Sequence, residues 1–355
     1  MLLLALMMIV NPDGPAASAG PMRQPQVAAA HGQVAMAFGG PGAVYFAASA
    51  DQGKSFGAPV KVADTPVLAL GRHRGPRLAI TDSALVITAV AGEKKDGGPH
   101  AHGLPADGNL LAWRSTDKGK TWSYVGPVND EPGSAREGLH AMAAGPNGKI
   151  FAVWLDLRSK GTKLYGSQSN DGGKTWSKNV LVYESPSGTI CQCCHPSAVI
   201  DAKGGIWVMW RNVIEGSRDL YVARSGDGVR FEAAAKQGVS TWKLDACPMD
   251  GGGLYVEGGK VTSAWRRESD IFVVEPGKPE RRLAAGKDSA IAKGRGGAYV
   301  AWTRGTGGVE VLAPGGSEPK PLSPDGSFVS LTTLPDGTVL AAWETPRGIE
   351  SRRLD

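Results

Sequence analysis

Apolar and polar residues alternate along most of this chain with a period of two. The runs are short and are broken by turn signals such as Pro-Asn-Gly, Pro-Asp-Gly and Lys-Gly-Gly. No stretch carries the 3.6-residue period of an amphipathic helix. The strongest run returns at residues 34–38, 86–90, 150–154, 206–210, 261–265, 298–302 and 339–343, and five of its copies close on Trp154, Trp210, Trp265, Trp302 and Trp343. Around the third copy a whole unit can be written: a strand over 139–144, a turn at Pro146-Asn147-Gly148, a strand over 149–154, a third over 163–169 and a fourth over 178–183. Seven such units, spaced by about 40 to 60 residues, predict an all-β propeller of seven four-stranded antiparallel blades. The last two units are short, which leaves six blades as an alternative, and the final one offers three strands only, so either ring closure uses an N-terminal strand, placed near residues 22–26, or the last blade is incomplete.

Between the third and fourth strands an eight-residue figure recurs. It is complete in Ser169-Asn170-Asp171-Gly172-Gly173-Lys174-Thr175-Trp176 and at 115–122, conservative at 49–56 and one residue short at 225–231. Asp51, Asp117, Asp171 and Asp227 are predicted to accept turn N–H groups, a Gly to supply positive φ, and Trp122 and Trp176 to fold back into the core. The figure Ser-x-Asp-x-Gly-x-Thr-Trp resembles the Asp-box, or BNR, repeat of the sialidase superfamily over roughly residues 26–245. The resemblance implies a β-propeller, six-bladed in that family, with its boxes on the face away from the active site.

One domain over 20–355 is predicted, since closed all-β folds use this much chain as a unit. The net charge of +5 is small for 355 residues and forms no basic run interleaved with aromatics, which excludes a nucleic-acid surface. The apolar run at 2–10, followed by Ala17-Ser18-Ala19, predicts a signal peptide over 1–19 and an exported, periplasmic or extracellular protein, although the basic segment that begins such peptides is missing. The competing reading of that run is a hydrophobic first strand. No other run is long enough to span a membrane, and a monomer is expected.

Strand alternation puts the segments that enter first strands and those that leave second strands on one face. That face gathers Arg23, Arg74, Arg136, His140, the 191–195 cluster, Cys247, Met249 and Asp288 from the first set, and His100, His102, Asp156, Arg158, Arg211, Arg266, Arg267, Arg304 and Glu344 from the second. His100 and His102 belong to a Gly- and Pro-rich loop over 93–109, of the length at which loops carry function or stay disordered. Arg23-Gln24-Pro25, echoed by Arg74-Gly75-Pro76, is similar to the Arg-Ile-Pro motif that precedes the first strand of sialidases. By that resemblance Arg23, Arg74, Arg158, Arg211 and Arg266 are candidates to bind an anionic ligand, because guanidinium forks match a carboxylate. The Tyr–Glu nucleophile and the acid/base Asp of sialidases have no counterpart, so ordinary sialidase activity is not expected.

Ile190-Cys191-Gln192-Cys193-Cys194-His195 and Ala246-Cys247-Pro248-Met249 occupy equivalent places in adjacent blades. They resemble a subgroup of exported Asp-box proteins with a Cys-x-Cys-Cys stretch and a later Cys-Pro. Two disulfides joining the blades are one reading, and a soft-metal site of Cys191, Cys193, Cys194, Cys247, His195 and Met249, holding copper or zinc, is another. The Cys-x-x-Cys-His pattern of haem c attachment is also spelled, but a strand-entering turn at a crowded hub leaves little room for haem. The leading expectation is a hub that binds a soft metal such as copper. The alternative is an exo-sialidase-type glycoside hydrolase acting on acidic glycans, and the third is a propeller for protein contacts.

Overall fold

The computed structural model describes residues 7–9, 21–97 and 103–354; His100, His102 and all of the 1–19 segment except 7–9 lie outside the described residues. The strands number from β1 (Met7–Ile9). Blade one is β2 (Arg23–Ala30), β3 (Gln33–Gly40), β4 (Ala43–Ser49) and β5 (Val60–Asp64). After the two-residue β6 (Val67–Leu68), blade two is β7 (Arg77–Ile80), β8 (Leu85–Gly92), β9 (Asn109–Ser115) and β10 (Ser123–Pro127). Blade three is β11 (His140–Ala144), β12 (Ile150–Asp156), β13 (Lys163–Ser169) and β14 (Val180–Tyr183), and blade four is β15 (Ser197–Ile200), β16 (Ile206–Arg211), β17 (Leu220–Ser225) and β18 (Ala235–Lys236). Blade five is β19 (Gly252–Glu257), β20 (Lys260–Arg267), β21 (Asp270–Val274) and β22 (Arg281–Ala285); blade six is β23 (Lys287–Gly294), β24 (Gly297–Thr303), β25 (Val309–Leu312) and β26 (Lys320–Ser323). Blade seven is β27 (Ser327–Thr333), β28 (Val339–Thr345) and β29 (Gly348–Leu354), with β1 as its outer strand.

All seven sheets are antiparallel, and no helix occurs among the described residues. The count is therefore seven and not six. Each predicted second strand is found, and the first strands β2, β7, β11, β15, β19, β23 and β27 touch in a closed ring. Closure uses an N-terminal strand, but at Met7–Ile9 against residues 349–351. The 22–26 segment expected there opens the inner strand of blade one instead, where Arg23–Ala30 pairs with residues 33–39.

The core lies between blades. One cluster joins Phe46 of blade one to Ile87 and Trp113 of blade two; another joins Phe151 and Val153 of blade three to Trp210 of blade four; a third joins Leu340 of blade seven to Phe38 of blade one. The Asp-bearing turns rivet these joints. Gly119 donates to Ser115 Oγ at 2.9 Å, and Thr121 donates to Asp117 through its N–H at 3.0 Å and its hydroxyl at 2.6 Å. The aromatic of each turn then reaches the preceding blade: Trp122 meets Phe46 edge-on at 5.3 Å, and Phe231 tilts against Phe151 at 5.8 Å. Trp122 and Trp176 are half-buried in these joints rather than fully buried between strands.

Candidate functional site

The inner strands enclose a channel of about 220 Å³ along the axis, lined among others by Gln26, His73, Met142, His195, Ser289 and Phe328. Its mouth on the face opposite the Asp-bearing turns is crossed by one tight turn. Gly71 and Arg74 exchange N–H···O bonds of 3.0 and 3.1 Å, and the two residues between them, Arg72 and His73, both have positive φ (52° and 67°). That is the backbone of a type I′ turn, which normally takes Asn-Gly or Gly-Gly. Holding two bulky residues there costs on the order of 1 kcal/mol each.

This turn from blade two reaches four other blades. Arg72 Nη1 donates to Met249 Sδ of blade five at 3.2 Å. His73 Nε2 lies 2.9 Å from Asp288 Oδ1 of blade six, its ring stacks on His195 of blade four at 4.0 Å, and it meets the edge of Phe328 of blade seven at 5.1 Å. Three of the residues it meets, Met249, Asp288 and Phe328, have positive φ, as does Gln24 beside the channel, and a register shift follows Arg23, Lys287 and Ser327 in their strands. Asp250, fully buried, accepts the Asp288 N–H at 2.7 Å. Burial and the neighbouring Asp288 push its carboxyl up to about 6.

Beside the turn, Arg23, Arg72 and Arg74 border a second recess of about 220 Å³, walled by Leu70 and by Leu104 of the long loop. Around the base of that loop the backbone is paired, Asp96 N with Leu104 O at 2.9 Å and Ala106 N with Lys94 O at 2.8 Å. Arg23 also bonds Glu344 Oε1 at 3.1 Å, while Gln24 donates to the other oxygen of that carboxylate at 2.8 and 3.0 Å. Arg74 donates to the Glu137 carbonyl at 2.5 Å and stands 3.7 Å from its carboxylate. Burial lifts the Glu137 carboxyl above the usual range, against the opposing pull of Arg74 and Arg136.

The other nominated arginines are placed elsewhere. Arg158 is held by Asp156, Asp130 and Asn179 and lies over the Tyr165 ring at 4.0 Å. Arg211 is buried and donates to the carbonyls of Asp250, Arg218 and Arg266 at 3.0, 2.7 and 2.8 Å. Arg266 donates to the Glu268 carbonyl at 2.6 Å. Arg72 and His73 were not singled out by sequence, which offered no turn signal in Gly-Arg-His-Arg. Asp250 was also missed, although it adjoins Met249.

The sulfurs of Cys191, Cys193 and Cys194 lie 3.2 to 4.0 Å apart, with Met249 and Val213 packed against them. Against a bond length of about 2.05 Å, these separations leave all four cysteines free, so the structure holds no interblade disulfide. Hydrogen bonds from Cys193 and Cys194 hold the Cys191 thiol well below the usual range, assisted by Arg211 and by Arg218, whose Nη1 is 3.2 Å from its sulfur. Cys247 is exposed but interacts with Cys193. His195 belongs to the channel rather than to the sulfurs: it stacks on His73, and its Nδ1 accepts the Gly251 N–H at 3.2 Å.

No family model and no curated protein matches this chain. Solved structures do. An α-L-arabinanase of Penicillium chrysogenum, complexed with arabinobiose, aligns over 99% of this chain and 97% of its own at 15% identity and a TM-score of 0.57. An ulvan lyase, a polysaccharide lyase bound to -[GlcA(1-4)Rha3S]-, covers 99% and 98% at 11% identity and a TM-score of 0.57. The intramolecular trans-sialidase from Ruminococcus gnavus, in complex with oseltamivir carboxylate, covers 98% and 97% at 14% identity and a TM-score of 0.56. At these identities the likeness establishes the shared propeller fold.

Proposed function

We propose that the hub face takes the carboxylate of an acidic glycan and hydrolyses the adjoining glycosidic bond. The observation that carries the reading is the convergence of Arg23, Arg72 and Arg74 on one recess. Three guanidinium groups supply the paired donors that fix a carboxylate in orientation. Arg72, exposed and with no carboxylate partner, has the freest donors of the three. Glu137, lifted by burial and beside Arg74, suits a proton donor to the leaving oxygen, and Glu344, paired with Arg23, is the second carboxylate that glycoside hydrolysis calls for. No tyrosine borders the recess or the channel, which argues against a Tyr nucleophile. Two of the neighbours cited above carry carboxylate ligands, glucuronate and oseltamivir carboxylate. An exported location fits a glycan substrate, and no helix among the described residues is long and apolar enough to cross a membrane.

The test is a titration of uronate- and sialate-bearing oligosaccharides followed by a reducing-sugar assay. Binding is expected to weaken at least tenfold in Arg72→Ala, and turnover to vanish in Glu137→Gln with binding retained. Equal binding of neutral and acidic glycans, or none of either, overturns the reading.

A second reading rests on the three sulfurs. We infer that Cys191, Cys193 and Cys194, with the Met249 thioether, hold a soft ion of the Cu(I) or Zn class, for which clustered thiolates are suited. Metal analysis of protein made without added metal, with thiol counting before and after acidification, tests it. Four freely alkylated thiols and no copper or zinc would refute it.

A further inference from the structure

His73, Asp250 and Asp288 come from three different blades, yet one ligand atom from each lies within 4.8 Å of the others at the mouth of the channel. An ion pair between His73 and Asp288 does not account for the group. Asp250 Oδ1 and Asp288 Oδ2 have no hydrogen-bond partner, although the two residues are only 0% and 5% exposed. A buried carboxylate oxygen left without a partner carries its full desolvation penalty. Two carboxylates in one dry site also repel each other. Arg211, whose guanidinium bonds the Asp250 backbone, directs its donors to carbonyls and not to either carboxylate.

We propose that His73, Asp250 and Asp288 form an axial site for a divalent cation that ties the Gly71–Arg74 turn of blade two to blades five and six. Imidazole with two carboxylates is the donor set of a Zn²⁺ or Mn²⁺ site and not of a copper-thiolate one. The His73 Nε2 to Asp288 Oδ1 distance of 2.9 Å suits neighbouring positions around one ion; ligand bonds of about 2.1 Å at a right angle are about 3.0 Å apart. The cation would give Asp250 Oδ1 a partner, and Asp288 Oδ2 one as well with that carboxylate bound through both oxygens, and it would neutralise the excess negative charge. It would also hold His73 in its strained conformation, and with it Arg72 and Arg74 on either side.

The test uses Mn²⁺, which thiolates bind poorly, on the full chain after dialysis against chelator. Loss of the free-ion EPR signal on titration should show one Mn²⁺ per chain, with a rise in Tm. Asp250→Asn and Asp288→Asn should each weaken binding at least tenfold while the circular dichroism spectrum stays that of the parent. Cys191→Ser should leave Mn²⁺ binding unchanged, which separates this site from the sulfur cluster. If the carboxylate variants fail to fold, His73→Gln, on a surface turn, serves in their place with the same expected loss. No Mn²⁺ or Zn²⁺ uptake at millimolar metal, or uptake that survives all three substitutions, overturns the proposal. An Asp250→Asn chain that is more stable than the parent in the presence of metal does so too, since it would show that the pair shares a proton. The glycan reading is not at stake here, because the readout is metal content and not sugar binding.

Discussion

Replacing Ser169 is expected to destabilise the protein more than replacing Asp171, although Asp171 names the motif. Asp171 accepts the Lys174 and Thr175 N–H groups at 3.0 and 2.9 Å and the Thr175 hydroxyl at 2.6 Å, but these donors are at the exposed end of the turn. Water replaces the carboxylate there, so Asp171→Ala should cost only about 1 kcal/mol after allowance for solvent screening. Ser169 Oγ accepts the Gly173 N–H at 2.8 Å where both residues are buried, and water has no access to that donor. Ser169→Ala should therefore cost about 2 kcal/mol, within the range for a buried unsatisfied N–H. Urea unfolding followed by Trp fluorescence, with unchanged m, measures both. The reasoning is refuted if Asp171→Ala costs 2 kcal/mol or more while Ser169→Ala costs less than about half of that. Neither change should alter ligand binding, since these turns open on the face away from the arginine recess.

Gly119→Ala should cost about 2 kcal/mol or more, because φ is +85° and a Cβ would run into the Phe46 ring; Gly57→Ala, with ordinary contacts, is the near-neutral control by the same unfolding assay. Arg211→Met should remove much of the folded protein at 37 °C, since it strands the buried carbonyl of Asp250 and the half-buried ones of Arg218 and Arg266; an unchanged Tm would show that they find other donors. Asp117, Asp171 and Asp227 are held at about 2 by hydrogen bonds to their charged form, so each contributes stability that is present above pH 4 and is lost as pH falls toward 2. Acid titration of the circular dichroism signal should show that loss, and an Asp171→Asn chain should show less of it. If export removes 1–19, the mature chain lacks β1, leaving the Gly348–Leu354 strand as an edge; mass spectrometry of exported protein decides, and a 20–355 chain should still unfold cooperatively, because β1 contributes three residues only.

The second strands were legible because they are buried on both faces, and continuous apolar runs closing on Trp follow directly from that position. Four strands per blade followed from the turns between them. The closing strand was sought at 22–26, while the competing reading of the 2–10 run as a first strand contains it; Met7–Ile9 pairs over three residues with the far end of the chain, too short a segment for alternation to decide between the two. At the hub, Arg23 and Arg74 were visible from their places before first strands. Arg211 was nominated by the same kind of reasoning and is a buried structural residue, because position after a Trp does not say whether the side chain meets solvent or neighbouring carbonyls. The meeting of residues 73, 195, 250 and 288 is a product of ring closure, which no local pattern encodes.

Positive φ falls on different residue types in the Asp-bearing turns and around the axial channel. On the Asp-bearing face the positive φ of the turns falls on Gly53, Gly119, Gly173 and Gly228, with Gln52 and Lys118 at solvated positions beside them. At the hub it falls on Gln24, Arg72, His73, Met249, Asp288 and Phe328, side chains that the left-handed region disfavours, and all but Arg72 are buried or half-buried. A glycine at any of these places would relieve the backbone and remove the side chain. The chain keeps the side chain, and what those side chains do together is close one channel and hold Arg72 and Arg74 over one recess. Strain kept around the channel and relieved by glycine in the Asp-bearing turns is the pattern expected where the hub side chains, and not the turns, are what the fold is built to present.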